Sequence, residues 1–204
     1  MRSLMPSQSA QAHLPLSRRL LVSGSRSVLF AVLLWLAAAA GEIAIPGTPV
    51  PITLQTFVVM VTALSLNWAE AGSAVALYLI AGAAGLPVFA GGTSTLALIG
   101  PSAGFLLGFL PGVIVTAWLK GRANTDGLRG YAMTAGRYLF ASIIGCGVVV
   151  YAFGFLVQST ITGVPLGTVA LASMTFIVGD VIKAVVASLA VSGSRQAVLT
   201  QQPH

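Results

Sequence analysis

Residues 168–191 read TVALASMTFIVGDVIKAVVASLAV. A bilayer core is about 30 Å thick, so a helix of about 20 mostly apolar residues crosses it. This stretch meets that length, and it contains two ionisable residues, Asp180 and Lys183. Their i, i+3 spacing puts them on one helix face. Lys183 lies twelve residues before Arg195, roughly 18 Å along a helix rising 1.5 Å per residue. That depth is too great for easy snorkelling, and an ionisable group at a helix centre costs at least about 2.5–3.5 kcal/mol. Such a pair either pins helix packing or serves a ligand or ion pathway. An apolar pair would pack at lower cost, so the spacing and depth favour a site.

The rest of the chain agrees with a membrane setting. Its 204 residues are 56% hydrophobic and only 7% charged, against roughly 25% charged in an average soluble domain. Too few ionised groups exist to cover a soluble surface of this size. Disordered chains, coiled coils and ordinary cytosolic enzymes are excluded. A single cysteine, Cys146, excludes an intrachain disulfide and a cysteine-based zinc site. The two histidines, His13 and His204, stand near the ends, so no internal histidine centre is expected and no metal or cofactor is predicted. The net charge of +6 reads as membrane orientation and contact with lipid, not nucleic-acid binding, because the basic residues sit between apolar blocks.

Six spans are predicted: Ser27–Ile45, Thr53–Asn67, Glu70–Gly85, Ala103–Leu119, Met133–Gln158 and Thr168–Val191. The fold class is thus an all-α integral membrane protein, a bundle of six transmembrane helices. Arg2, Arg18, Arg19 and Arg26 precede the first span. Lys120, Arg122, Arg129 and Arg137 lie at or between the fourth and fifth, and Arg195 follows the sixth. Segments 46–52, 86–102 and 159–167 contain no Lys or Arg. The positive-inside rule then puts both termini in the cytoplasm. Residues 1–25 are expected to be a cytoplasmic N-terminal tail, 26–192 the membrane domain and 193–204 a cytoplasmic C-terminal tail. Ser17-Arg18-Arg19-Leu20-Leu21, followed by an apolar run, also resembles a cleaved export signal, but Arg26 interrupts it and cleavage would leave five spans. Asn67-Trp68-Ala69-Glu70 has the pattern of a helix start with its acid three residues on.

The uncharged segments carry the remaining chemistry. Residues 45–56, IPGTPVPITLQT, hold three prolines in six positions and read as a stiff non-helical connection. Residues 85–104 are long, apolar and glycine-rich. Irregular backbone at membrane depth survives where protein buries it or where it lines a wet cavity, so these segments are expected to form a lid and wall over an outward-opening pocket. Glu42 is expected at the aqueous interface. Lys183 supplies donors and positive charge, and Asp180 accepts from N–H groups. Together they suit a ligand with a carbonyl flanked by amide N–H, or one with a carboxylate. Gln55, Thr93, Ser94 and Thr95 can add neutral hydrogen bonds; Phe89, Phe105, Trp68 and Tyr78 can supply apolar contact. That description fits a small vitamin-like molecule. No nucleophile, base and orienter occur together and no phosphate loop is present, so an enzyme is not predicted. An ion or proton relay would need more sites than one pair, and a purely structural subunit would tolerate joint replacement of the pair by apolar residues.

Four ordered motifs carry a resemblance: Val50–Thr56 (VPITLQT), Gly85–Gly92 (GLPVFAGG), Gly100–Phe109 (GPSAGFLLGF) and Gly179–Lys183 (GDVIK). They resemble the BioY family, the biotin-specific S components of energy-coupling-factor transporters, over about Ser27 to Val191. The resemblance implies a six-helix membrane subunit of the bacterial cell membrane that captures biotin from outside. It would deliver biotin with a transmembrane T component and paired ABC ATPases. It implies contacts from Lys183 and Asp180, and from Thr93 just after the Gly91-Gly92 pair; Phe89 and Gln55, read above as apolar and hydrogen-bonding candidates, lie in the same motifs. Some members have asparagine where Thr93 stands, a tyrosine where Phe105 stands, and an arginine where Leu106 stands. It also implies a small-residue coupling face on the first helix, for which Ser27 with Ala31 and Ala37 with Gly41 are the nearest equivalents. An S component for another small vitamin or heterocycle is the neighbouring alternative. For biotin, the neutral Asp180–Lys183 pair favours the ureido head deep in the site and the carboxylate tail toward outer water, since a deep carboxylate would leave an uncompensated charge; the alternative is the reverse pose, with Lys183 on the carboxylate.

Overall fold

A computed structural model describes residues 16–124 and 127–200. Its helices are α1 (Leu16–Ala39), α2 (Gln55–Ser65), α3 (Trp68–Ala83), α4 (Ala103–Leu119), α5 (Gly127–Ser142), α6 (Val150–Thr162), α7 (Leu166–Ala172) and α8 (Met174–Thr200). A π-helical segment, Ile143–Val149, joins α5 to α6 without a break. Two short strands, β1 (Glu42–Ile43) and β2 (Ile52–Thr53), pair antiparallel with Glu42 opposite Thr53, a small departure from an all-α chain.

Large apolar side chains point outward all round the bundle: Leu29, Trp35, Trp118, Phe140 and Leu171 are exposed, while Thr62, Thr116 and Ser142 are fully buried. A protein with this distribution is solvated by lipid, because the medium itself is apolar. Among the described residues three helical stretches are long and apolar enough to cross a membrane: Leu20–Ala39, Gly127–Thr162 and Met174–Arg195. They contain most of the first, fifth and sixth expected spans. The second, third and fourth expected spans fall on shorter apolar helices of 11, 16 and 17 residues.

Four features of the helix boundaries differ from the sequence reading. Helix α1 begins at Leu16, so residues 16–25, expected in the N-terminal tail, are helical; Arg2 and the remainder of that tail lie outside the described residues. It also stops at Ala39, short of Ile45, where Gly41 takes a left-handed φ of 113° and the chain enters β1. At the other end α8 continues to Thr200, through most of the stretch expected as a C-terminal tail. The sixth expected span is interrupted at Ser173. There the hydroxyl donates to the Val169 carbonyl at 2.8 Å, alongside the Ser173 amide at 3.1 Å, a back-bond that bends helices.

The seam that fixes the bundle is made of glycine. Gly104, Gly108 and Gly112 recur every fourth residue on α4, with Thr116 next in the series. A Cβ on Gly104 would lie 2.4 Å from the Phe153 carbonyl oxygen, and one on Gly112 would lie 2.7 Å from Val150 Cγ2. From the opposite side, a Cβ on Gly145 would lie 2.1 Å from Thr116 Oγ1 and 2.5 Å from the Gly112 carbonyl oxygen. Backbones approach this closely only where neither helix carries a side chain, the small-xxx-small logic of membrane helices. The π segment falls where this contact is tightest. Its wider turn is a rare form that occurs as a local bulge within α-helices.

The basic residues gather at one end. Glu70 and Asn67 form the expected capping box at the start of α3: Asn67 Oδ1 accepts from the Glu70 amide at 2.9 Å, and Glu70 Oε2 accepts from the Asn67 amide at 3.3 Å. Arg26 stands 3.9 Å from Glu70. Lys120 Nζ donates to the carbonyls of Ala63 (2.7 Å), Leu64 (3.0 Å) and Leu66. Arg195 Nη2 donates to those of Leu64 (3.3 Å) and Ser65 (2.9 Å). These two cations satisfy the orphan carbonyls that end α2, where positive charge also complements the helix dipole. The proline-rich hairpin and the 85–102 loop occupy the other end.

Candidate binding site

Asp180 and Lys183 project from α8 toward the start of α2. Lys183 Nζ donates to Asp180 Oδ1 (2.8 Å), to the Thr53 carbonyl (2.8 Å) and to Thr56 Oγ1 (2.9 Å). All three ammonium hydrogens are engaged. Asp180 Oδ1 also accepts from Thr56 Oγ1 at 2.7 Å, and Oδ2 accepts from Tyr151 Oη at 2.8 Å. The carboxylate therefore keeps an acceptor position on Oδ2, while a new acceptor can reach Lys183 only by displacing Thr53 or Thr56. The two side chains, Lys183 and Asp180, are 15% and 11% exposed. A pair this buried is stable because hydrogen bonds satisfy what lipid and protein cannot.

Thr53, Thr56 and Tyr151 had no role in the sequence reading of the pair. Thr53 and Thr56 stand three apart at the entry to α2, just past the prolines. Tyr151 is a hydroxyl-bearing aromatic within an apolar helix, and a buried tyrosine hydroxyl ordinarily finds a partner. Those were the available signals.

Two adjoining spaces are walled by these elements. The larger, about 480 Å³, lies between the hairpin and the 85–102 loop; Glu42, Thr48, Thr53, Gln55, Phe89, Gly91, Thr93, Ser102, Phe105 and Leu106 line it. The smaller, about 60 Å³, is lined by Asp180, Lys183, Thr56, Tyr151, Phe109 and Phe176. Val50, Pro51, Thr53 and Phe105 line both. Only the larger has the size of a ligand pocket.

The sequence-predicted residues thus divide between the two spaces. Gln55 is buried; its Oε1 accepts from Thr53 Oγ1 at 3.0 Å and its Nε2 donates to Tyr78 Oη. Phe89 is also buried, with its ring edge-on to Tyr78 at 5.2 Å and over Gly82. Thr93 is exposed and closes the Ala90–Gly92 turn by donating to the Ala90 carbonyl at 2.8 Å. Gly91 takes φ 65° there and lines the large cavity, whereas Gly92 (φ 69°) belongs to the turn but not to the lining. Trp68 lies at the basic end, at the start of α3, and lines neither space. Ser27 is buried against α3, donating to the Glu70 carbonyl at 3.0 Å, and Ala31 lines a shallow apolar groove between α1 and α3. Among the described residues no three His, Cys, Asp or Glu side chains gather as a metal site.

Membrane-facing apolar helices, an irregular lid at the end without basic residues and a satisfied ion pair beneath a ligand-sized cavity define a membrane protein of the S-component fold. The crystal structure at 2.1 Å of the S-component for biotin from an ECF-type ABC transporter has that architecture. It superposes with a TM-score of 0.76 over 95% of both chains, at 22% identity. The chain belongs to the BioY family, whose model matches residues 11–200. Biotin transporter BioY of Rhizobium etli is 40% identical over 164 residues, 80% of this chain and 87% of the relative. Biotin transporter BioY of Thermotoga maritima is 34% identical over 175 residues, 84% of this chain and 92% of the relative.

Proposed function

We propose that the chain is the substrate-binding membrane subunit of a biotin uptake system of a bacterial cell membrane. Six helical crossings carry it, through α1, α2, α3, α4, the continuous α5–α6 and α7–α8, with the basic end and both termini cytoplasmic. Residues 26–192 form the membrane domain. It captures biotin and carries out no chemistry on it; a transmembrane T component and ABC ATPases supply the energy.

The observation that carries this reading is the Asp180–Lys183–Thr56–Tyr151 network at the floor of the cavity. A ureido group offers one carbonyl and two N–H donors. The free acceptor position on Asp180 Oδ2 suits an N–H, and the Lys183 ammonium suits the carbonyl once Thr53 gives way. Because Thr53 walls both spaces, a shift of the hairpin at that residue merges them. The bicyclic head then occupies the floor, with its tail in the larger space beside Thr93, Gly91, Gly92, Phe89 and Gln55. Family relatives named for biotin transport, 40% and 34% identical, support the ligand. Ala31, on the groove between α1 and α3, with Ser27 behind it, is the candidate coupling contact.

Uptake tests it. A biotin-auxotrophic bacterium lacking its own transporter, supplied with this chain and an energy-coupling module, is expected to accumulate labelled biotin. Lys183→Met, present at equal membrane level, is expected to abolish accumulation. Uptake unaffected by Lys183→Met, or absent with the wild-type chain correctly inserted, overturns the proposal.

A further inference from the structure

Glu42 has no part in the network just described, yet among the described residues it is the one ionisable residue that lines the 480 Å³ cavity, where it is exposed at the mouth. Its position is fixed by the backbone. In the hairpin register Glu42 pairs with Thr53, the residue whose carbonyl receives Lys183. From there the carboxylate reaches across the mouth to the lid: a Cβ on Gly91 would lie 3.3 Å from Glu42 Oε1. Gly91 holds φ 65°, so the lid presents bare backbone at this point. Among the described residues no cation stands within salt-bridge distance of Glu42. Segments 46–52 and 86–102, which build the cavity, contain no Lys or Arg, and Leu106 offers carbon only. The mouth of the cavity therefore carries an acidic side chain with no protein cation beside it, while the floor is neutral as a pair.

We propose that Glu42 sets the specificity for the outer end of the ligand. It disfavours a free carboxylate and favours a neutral or ammonium-terminated tail, so that amide-linked biotin conjugates with a cationic end are substrates of this chain. The inference rests on the biotin reading of the floor. Because Glu42 is exposed, it interacts through water with a tail charge about 8 Å away, which changes affinity by a factor of about two. Reversing the sign of the tail charge counts that interaction twice.

Titration calorimetry of the detergent-purified protein tests it with biotin, biotinamide and biotin coupled to ethylenediamine, whose tail ends in an ammonium. The wild-type chain is expected to bind the ammonium conjugate about fivefold tighter than biotin at low salt, with the amide between. Glu42→Gln, whose folding is checked by thermal unfolding, is expected to bring the ratio to within about twofold. The wild-type preference should shrink as salt is raised, because the mouth is open to screening, and the variant should show no such trend. A ratio unchanged by Glu42→Gln, or a wild-type preference for the carboxylate, overturns the role of Glu42 and leaves the biotin site standing. Failure of all three ligands to bind folded wild-type protein overturns the biotin reading and this inference together.

Discussion

Removing the two charges of the floor, singly and together, separates their structural role from their binding role. Lys183→Met leaves the Asp180 carboxylate with the Thr56 and Tyr151 hydroxyls but no countercharge. With side chains only 15% and 11% exposed, the pair falls in the buried regime, where breaking one partner costs about 3 kcal/mol. Asp180→Asn leaves an ammonium facing the Thr53 carbonyl and Thr56, at a similar cost. In the double variant Lys183→Met/Asp180→Asn no charge remains. The amide introduced at position 180 can accept from Tyr151 and donate to Thr56 in place of Lys183, so the Thr53 carbonyl is left without its donor, about 1–2 kcal/mol. The double variant is therefore expected to be more stable than either single one, with a coupling energy of about 4–5 kcal/mol. Thermal or denaturant unfolding in one detergent reads this. Biotin binding is expected to move differently: all three variants lose affinity by about a hundredfold, the worth of a charge-assisted hydrogen bond to the ligand. Additive destabilisation would refute the buried-pair energetics. A double variant that regains binding along with stability would refute the site and leave only a packing device.

Other outcomes follow from named contacts. Tyr151→Phe removes one donor to Asp180 and is expected to weaken biotin binding about tenfold, read by labelled-biotin titration; unchanged affinity would exclude Tyr151 from the floor. Gly145→Ala puts a methyl 2.1 Å from Thr116 Oγ1 and 2.5 Å from the Gly112 carbonyl oxygen. It is expected to cost about 3 kcal/mol or to prevent recovery of monodisperse protein. Gly179→Ala, with no atom within 4 Å of the new Cβ, should instead be stabilising by about 0.5–1 kcal/mol; unfolding midpoints compare the two. Asn67→Ala removes the cap of α3 at a cost of about 1 kcal/mol, with biotin affinity unchanged, because this end of the bundle lies opposite the cavity.

Much of the scaffold is legible because lipid imposes simple rules. The apolar segments, the charge asymmetry and the Asn67–Glu70 cap each follow from one-dimensional patterns, and each corresponds to a feature of the fold. The Asp180–Lys183 pair is equally legible, since a charge amid hydrocarbon stands out against its neighbours. What escapes is whatever depends on contacts between helices. The every-fourth-residue glycines of α4 are visible in sequence, but their partner is not. Gly145 and the π segment acquire meaning only when α4 presses on α5–α6. Thr56 and Tyr151 are unremarkable residues until α8 brings a carboxylate between them. The early end of α1 is set by the hairpin that begins at Glu42, which the reading of a continuous apolar span to Ile45 overlooked. The role of Glu42 likewise depends on a strand register that composition does not encode.

The central claim is that a vitamin head group meets the ion pair at the floor of the cavity. Equilibrium binding of radiolabelled biotin to the detergent-purified wild-type chain, without any coupling subunit, tests it most directly. The account predicts saturable binding of one biotin per chain, displaced by excess unlabelled biotin. Folded, monodisperse protein that shows no saturable binding would contradict it.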